Sequence, residues 1–222
     1  MFIIPSKYVP TSPLFQCIDT ITHFHPNEKI LVVDSYSDDD SYLKSCKERD
    51  NVIVSQYKNK HYECGALYYA YKEFPDEPYY ALIQDSVFLN ASWEEFLCDD
   101  RTYNLLYFDE GPFLQMELNY TNEVIKNTEY EHYVNDHHVG MFGMLGVYKS
   151  DMMKTMTKKN LLEAALPVDK FGSQMTERIL GICLMQDGYE IKRDSIDGDF
   201  HSQKFNLGSG LKHFRKVYCG RQ

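Results

Sequence analysis

The chain has 222 residues, 43% of them hydrophobic and 14% aromatic, which is enough for the core of one α/β domain. Its formal net charge of −10 argues against non-specific nucleic-acid binding. No run of about 18 apolar residues predicts a transmembrane helix, and six scattered cysteines without a CxxC pair predict reduced thiols in a cytoplasmic protein, not a disulfide framework or a zinc site.

In the first 90 residues, four apolar runs with the character of buried strands alternate with three helical patterns. The strands are predicted at 2–5, 29–35, 51–56 and 79–85, and the helices at 11–24, 35–50 and 63–74. Ser12 is a plausible N-cap of the first helix, and acidic residues would occupy the first turn of the second. All-apolar strands that alternate with helices predict a mostly parallel sheet covered by helices on both faces.

The remainder of the chain is less regular. We expect a short helix at 92–98, a strand at 103–108, a strand and then a helix within 140–153, and a helix from residue 173 that ends at Gly188 and precedes another strand. Residues 113–138 have no clear periodicity. We interpret the chain as a single domain, 1–222, with a regular half (1–90) and a second half (91–222) that supplies the other wall of a cleft.

Polar residues follow three of the predicted strands, as Pro5-Ser6, Asp34-Ser35 and Asp85-Ser86. The carboxyl ends of parallel strands meet at one edge of a sheet, and ligands bind in the crevice beyond that edge. We therefore expect these residues to surround one pocket.

The segments "FIIPSKY", "KILVVDSYSDDD", "NVIVSQYKN" and "LIQDSVFL" resemble, in order and spacing, the opening of GT-A glycosyltransferases of the family 2 type. The resemblance covers about the first 90 residues well and the remainder weakly. It implies a GT-A fold, a nucleoside-diphosphate sugar donor linked to UDP, GDP or dTDP, and a glycan or other hydroxyl acceptor. The implied nucleotide-binding residues are Pro5, Ser6, Tyr8, Asp34 and Asn59. Asp34 would contact the base or the ribose, although a helix N-cap role competes with this interpretation.

"LIQDSVFL" lies where the family carries its DxD metal motif, but the third position is Val87, which cannot be a ligand. The resemblance implies Mn²⁺ or Mg²⁺ at Asp85, with His201 or His213 as a possible further ligand. The alternative is a role for the basic segment after residue 200, which contains five Lys/Arg and no Asp or Glu. In that alternative, Lys204, Lys212 or Arg215 would neutralise the diphosphate, whereas a merely solvated segment explains the charges equally well.

Glu177 precedes Gly188-Tyr189 by the 11 positions that separate the catalytic base of inverting family members from their "GY". By this resemblance Glu177 is the candidate base, and the alternative is a solvent-facing helix glutamate. Asp109, Glu110 and His138 are candidates for the acceptor side. The function predicted is inverting sugar transfer. The two alternatives are a catalytically silent binding domain of the same fold and a nucleotidyltransferase, which would usually have a Gly-rich basic loop after the first strand.

Overall fold

The computed structural model describes residues 1–8, 13–134 and 136–217. The strands are β1 (Phe2–Ser6), β2 (Ile30–Asp34), β3 (Val52–Val54), β4 (Tyr79–Leu82), β5 (Val87–Leu89), β6 (Tyr103–Asn104), β7 (Tyr107–Glu110), β8 (His138–Met141), β9 (Gly146–Lys149) and β10 (Phe214–Lys216). The helices are α1 (Leu14–Phe24), α2 (Tyr42–Lys47), α3 (Tyr62–Glu73), α4 (Glu94–Cys98), α5 (Gln115–Ile125), α6 (Ser150–Lys158), α7 (Leu161–Ala164), α8 (Lys170–Gln186) and α9 (Phe200–Gln203), with a 3₁₀ turn at Phe142–Met144.

The central sheet has six strands in the order β3-β2-β1-β4-β9-β6. The pairs among β3, β2, β1 and β4 are parallel, and β9 and β6 add antiparallel pairs at one side. Every residue of β1, β2 and β4 is buried, as expected for strands with helices on both faces. The predicted α/β class, with a mostly parallel central sheet flanked by helices, is confirmed.

Strands from both halves of the chain build this sheet. β9 and β6 come from the second half, and β10 pairs antiparallel with β5 of the first half. The predicted strand at 103–108 is in fact two strands: β6 joins the central sheet, and β7 pairs with β8 in a separate two-stranded sheet. A single apolar run therefore serves two sheets.

Two other predictions differ from the structure. Helix α2 begins only at Tyr42 and has no acidic residue in its first turn, because residues 35–41 form a loop after β2. The strand predicted after Gly188 is a turn at 191–194, closed by a hydrogen bond from the Asp194 amide to the Glu190 carbonyl (2.9 Å). Gly188 itself, with φ of +84°, does follow the end of α8. Ser12, the predicted cap of α1, lies outside the described residues.

Helix α1 packs against β5, and α3 packs against β1 and β4 of the central sheet. Leu14, Cys17, Ile18 and Ile21 of α1 are buried at helical spacing. Helix α8 packs mainly on β8 and the 3₁₀ turn, where an added Cβ at Gly181 would lie 1.9 Å from the Val139 carbonyl oxygen. Among the described residues, no helix has both the length and the apolar character that crossing a bilayer requires.

Candidate functional site

A cavity of about 760 Å³ opens at the carboxyl ends of β1, β2 and β4. The described residues that line it are Pro5, Lys7, Ser35, Asn59, Lys60, Tyr62, Glu63, Gln84, Asp85, Ser86, Lys170, Lys216 and Val217. Five residues predicted from sequence are among them: Pro5, Ser35, Asn59, Asp85 and Ser86. The parallel strands bring these residues together because their polar carboxyl ends share one sheet edge.

Asp85 lies at the centre of this edge and is 1% exposed. The Ser6 hydroxyl, at the end of β1, donates a hydrogen bond to Asp85 Oδ2 over 2.9 Å. Ser6 thus holds the carboxylate of Asp85 in place and does not itself line the cavity. Asp85, the aspartate of "LIQDSVFL", therefore faces the cavity.

Asp34 is buried beneath the same edge, and its carboxylate organises the loop that follows β2. It accepts a hydrogen bond from the Tyr42 hydroxyl (2.9 Å) and from the Ser37 amide (3.3 Å to either oxygen). Burial, with the neighbouring Asp34 charge, raises the pKa of Tyr42. Tyr8 stacks on Tyr42 with ring centroids 5.5 Å apart. Neither Asp34 nor Tyr8 lines the cavity, and Asp34 is not the cap of α2, since Ser41 occupies that position.

Asn59 builds the turn into α3. Its side chain accepts a hydrogen bond from the His61 amide (2.8 Å) and donates one to the Tyr62 carbonyl (2.5 Å). Tyr62 has a φ of +51° in this turn, which directs the start of α3 towards the cavity. The asparagine therefore shapes the cavity wall as well as lining it.

The residues at Asp85 do not fit a Mn²⁺ or Mg²⁺ centre. These ions take several oxygen ligands, whereas Val87 is fully buried in the core. Within the described ranges, no group of three or more His, Cys, Asp or Glu side chains is placed to hold a metal ion. His201 is exposed on α9 and does not line the cavity, and His213 is instead hydrogen-bonded to Asp197 (2.9 Å).

The basic segment reaches the cavity through a residue other than those predicted. Lys204, Lys212 and Arg215 do not line it. Lys204 lies over the Phe205 ring and Arg215 over the Phe88 ring. Lys216, their neighbour on β10, does line the cavity. Side chains alternate along a strand, so the pairing of β10 with β5 exposes Arg215 and turns Lys216 inward. Arg221 lies outside the described residues.

Lys216, Gln84 and Glu63 form a hydrogen-bonded chain across the cavity wall. The Lys216 ammonium donates to Gln84 Oε1 and to the Ser86 hydroxyl, the latter over 3.2 Å. Gln84 Nε2 in turn donates to Glu63 Oε1 over 2.6 Å. The amide of Gln84 therefore links a cation on one side of the cavity to a carboxylate on the other.

Glu177 lies on α8, close to this carboxylate. The pKa of Glu177 is raised to about 7, mainly by burial; a hydrogen bond from the Gly143 backbone opposes the rise, and the charge of Glu63 contributes to it. Glu63 and Lys170, both of which line the cavity, interact electrostatically with Glu177. The lining residues themselves do not include Glu177. It is a half-buried carboxyl group beside the cavity that titrates near neutral pH, and not a freely solvated helix glutamate.

Asp109, Glu110 and His138 belong to the β7–β8 sheet and do not line the cavity. Glu110 accepts two hydrogen bonds from the Arg178 guanidinium (2.9 and 3.0 Å), and Asp109 forms an ion pair with Lys192. Burial lowers the pKa of His138, which packs against aromatic rings. The acceptor-side assignment of these residues stays a prediction.

Glu63, Gln84 and Lys170 were not predicted from the sequence, and Lys216 was predicted only as one charge of the basic segment. Gln84 and Asp85 are adjacent in "LIQDS", so a polar pair after a buried strand was an available signal. Glu63 lies in the first turn of α3, directly after the Asn59 turn and on the same sheet edge. Nothing local to Lys216 or Lys170 marks them, because their positions depend on long-range packing.

No family model matches the chain, and no curated protein matches it. Among solved structures, the crystal structure of S. aureus TarS 1–349 is similar, with a TM-score of 0.44 and 10% identity over 79% of this chain and 54% of that one. The galactosyltransferase LgtC, in complex with donor and acceptor sugar analogs, is similar with a TM-score of 0.43 and 11% identity over 81% of this chain and 70% of that one. The chain thus spans about half the length of TarS 1–349, and at these values the likeness does not define its function.

Proposed function

We propose that the chain is a GT-A-type glycosyltransferase that moves a sugar from a nucleoside-diphosphate donor to an acceptor hydroxyl, with Glu177 as the base. The observation that carries the proposal is the cavity at the carboxyl edge of the parallel strands. It combines a buried aspartate, Asp85, with lysine side chains and with a carboxyl group beside it that titrates near neutral pH.

The volume and chemistry of the cavity suit a sugar nucleotide. About 760 Å³ lies within the range of ordinary small-molecule sites. Anionic phosphates would be drawn to the lysines, and Asp85 would accept hydrogen bonds from donor hydroxyls. The loop held by Asp34 and the turn held by Asn59 form neighbouring walls, which supports the placement of the nucleotide along this edge.

In the proposed reaction, an acceptor oxygen forms a bond to the anomeric carbon as the bond to the diphosphate oxygen breaks. The electron pair of the broken bond leaves with the diphosphate, and the acceptor proton passes to Glu177. A base works best when its pKa is near the working pH, and Glu177 meets this condition. Displacement at the face opposite the leaving group would invert the anomeric configuration.

Glu63 supports the protonation behaviour of Glu177. Two neighbouring carboxylates disfavour double ionisation, so the charge on Glu63 raises the pKa of Glu177. The hydrogen bond from Gln84 keeps Glu63 in place at the cavity wall. Glu63 is thus the second carboxylate to test as the base.

The proposal is tested by titrating UDP, GDP and dTDP into the protein in a calorimeter, followed by donor turnover with candidate hydroxyl acceptors. We expect one of the three nucleotides to bind and its sugar conjugate to be consumed. If none binds, with or without Mn²⁺, neither the transferase nor a nucleotide-binding function survives.

A second candidate is a catalytically silent domain that binds a sugar nucleotide or a glycan. The observation that favours it is the buried Val87 in place of a second DxD carboxylate. Nucleotide binding without any turnover of the sugar conjugate, across acceptor panels and at pH 6 to 9, would support this candidate and reject the transferase.

A further inference from the structure

Four lysines surround the cavity: Lys7, Lys60, Lys170 and Lys216. The described lining residues include two carboxylates, Glu63 and Asp85, so the lining carries an excess of positive charge. This is the reverse of the whole chain, whose formal net charge is −10. A concave site with positive charge on its walls concentrates anions.

Lys216 is held in a defined position. Its backbone pairs with Val87 across the β10–β5 ladder, and its ammonium donates to the side chains of Gln84 and Ser86. These two acceptors are the residues on either side of Asp85. Lys216 is only 9% exposed, so its ammonium points inward with little of its solvent shell.

The position of this ammonium is unfavourable for a divalent cation. A metal ion at Asp85 would have one carboxylate to bind and a fixed positive charge next to it, and two cations repel strongly where water is scarce. A diphosphate at the same place would meet the opposite situation, because lysine binds phosphate as a point charge with up to three donors.

We propose that Lys216 takes the place of the divalent cation, binds the diphosphate oxygens, and makes the site independent of metal. This rests on the proposed function in so far as the diphosphate is that of a sugar donor. When the bond between the sugar and the diphosphate breaks, the electron pair remains on a phosphate oxygen, and the Lys216 ammonium stabilises the added negative charge. No proton or electron leaves Lys216 in this step.

The experiment uses two kinds of probe on the full chain, each in EDTA and in Mn²⁺. Inorganic pyrophosphate probes the lysine site alone, and UDP, GDP and dTDP probe the complete nucleotide site. We expect pyrophosphate and one nucleotide to bind in EDTA, with an affinity that Mn²⁺ changes less than threefold or so and that rising salt weakens. Because this arm uses the unmodified chain, it needs no variant that folds.

Lys216→Gln should weaken pyrophosphate binding about ten- to hundredfold in EDTA, the loss expected for a charge-assisted hydrogen bond. Lys216→Arg keeps the charge and should recover part of this loss. Lys154→Gln, which removes an exposed lysine of α6 that pairs with Asp151, is the matched control and should bind as the unmodified chain does.

The outcomes separate the two proposals. Pyrophosphate binding in EDTA that depends on Lys216, without binding of any nucleotide, keeps the lysine site and rejects the sugar-nucleotide function. Nucleotide binding that requires Mn²⁺ and is unaffected by Lys216→Gln keeps the transferase and overturns the lysine proposal. Absence of all binding rejects both.

Discussion

Glu110 on β7 and Glu177 on α8 are carboxyl groups in different electrostatic surroundings. Glu110 of β7 receives two hydrogen bonds from Arg178, so a guanidinium compensates its charge directly. Glu177 immediately precedes Arg178 on α8 and lies near Glu63. Burial is the main cause that raises the pKa of Glu177 to about 7. Neighbouring positions on one helix therefore differ: Arg178 links the β7–β8 sheet to α8, whereas Glu177 has a pKa raised towards neutrality.

The largest change expected is the loss of sugar transfer when Glu177 is replaced. Glu177→Gln keeps the shape of the side chain but removes the base, so we expect sugar transfer to fall about 10²- to 10⁴-fold with nucleotide affinity nearly unchanged. The measurement is donor consumption and calorimetry on the same preparation. Glu163→Gln, at an exposed position of α7, is the control. Near-normal turnover of Glu177→Gln would remove Glu177 from the mechanism and leave Glu63 as the carboxylate to examine.

The pH dependence of kcat/KM also tests the assignment of Glu177 as the base. A base must be deprotonated to act, and the pKa of Glu177 is about 7. We therefore expect kcat/KM to rise about tenfold per pH unit below pH 7 and to level off above it. A profile that is flat between pH 5.5 and 8 would contradict the assignment.

The free energy of unfolding should depend on pH, because the Glu177 carboxylate is partly removed from water. Its pKa is raised from an ordinary value of 4.5 to about 7, so the native state binds more protons than the unfolded state in that window, and stability falls as pH rises through it. Glu177→Gln should thus be more stable than the unmodified chain by about 2 to 3 kcal/mol at pH 8, and equally stable near pH 4. Urea unfolding at the two pH values measures this. An equal difference at both would mean that packing, not charge, is responsible.

The smallest effect concerns the ion pair. Glu110→Gln weakens a partly exposed pair with Arg178, and we expect a loss of about 1 kcal/mol in the free energy of unfolding at pH 7. Glu123→Gln, which disturbs the exposed pair with Lys126, should change it little. A gain of stability in Glu110→Gln would show that Arg178 compensates a different group.

The strands differ in how well the sequence alone predicts them. β1, β2 and β4 were predictable because fully buried parallel strands are continuous apolar runs of characteristic length. The division of 103–108 into β6 and β7 was not, since a strand of two residues leaves no periodic pattern, and its partner β9 decides where it ends. The same holds for the turn at 191–194, because Tyr189 and Ile191 alternate with charged residues as they would in a strand.

The residues of the site also differ in how well the sequence predicts them. Asp85 was identified because a carboxylate directly after a buried strand must lie at the sheet edge. The inward position of Lys216, and not of Arg215, follows from one register of β10 against β5, and slipping that register by one residue would exchange their faces.

The parallel sheet and the polar edge at which its strands end follow from the sequence, because apolar runs and their alternation with helices are local properties of the chain. Which charges face the cavity depends on long-range packing. Pairing between β10 and β5, and packing of α8 beside α3, bring together groups that are far apart in sequence, and it is the resulting burial and mutual repulsion that raise the pKa of Glu177 towards neutrality.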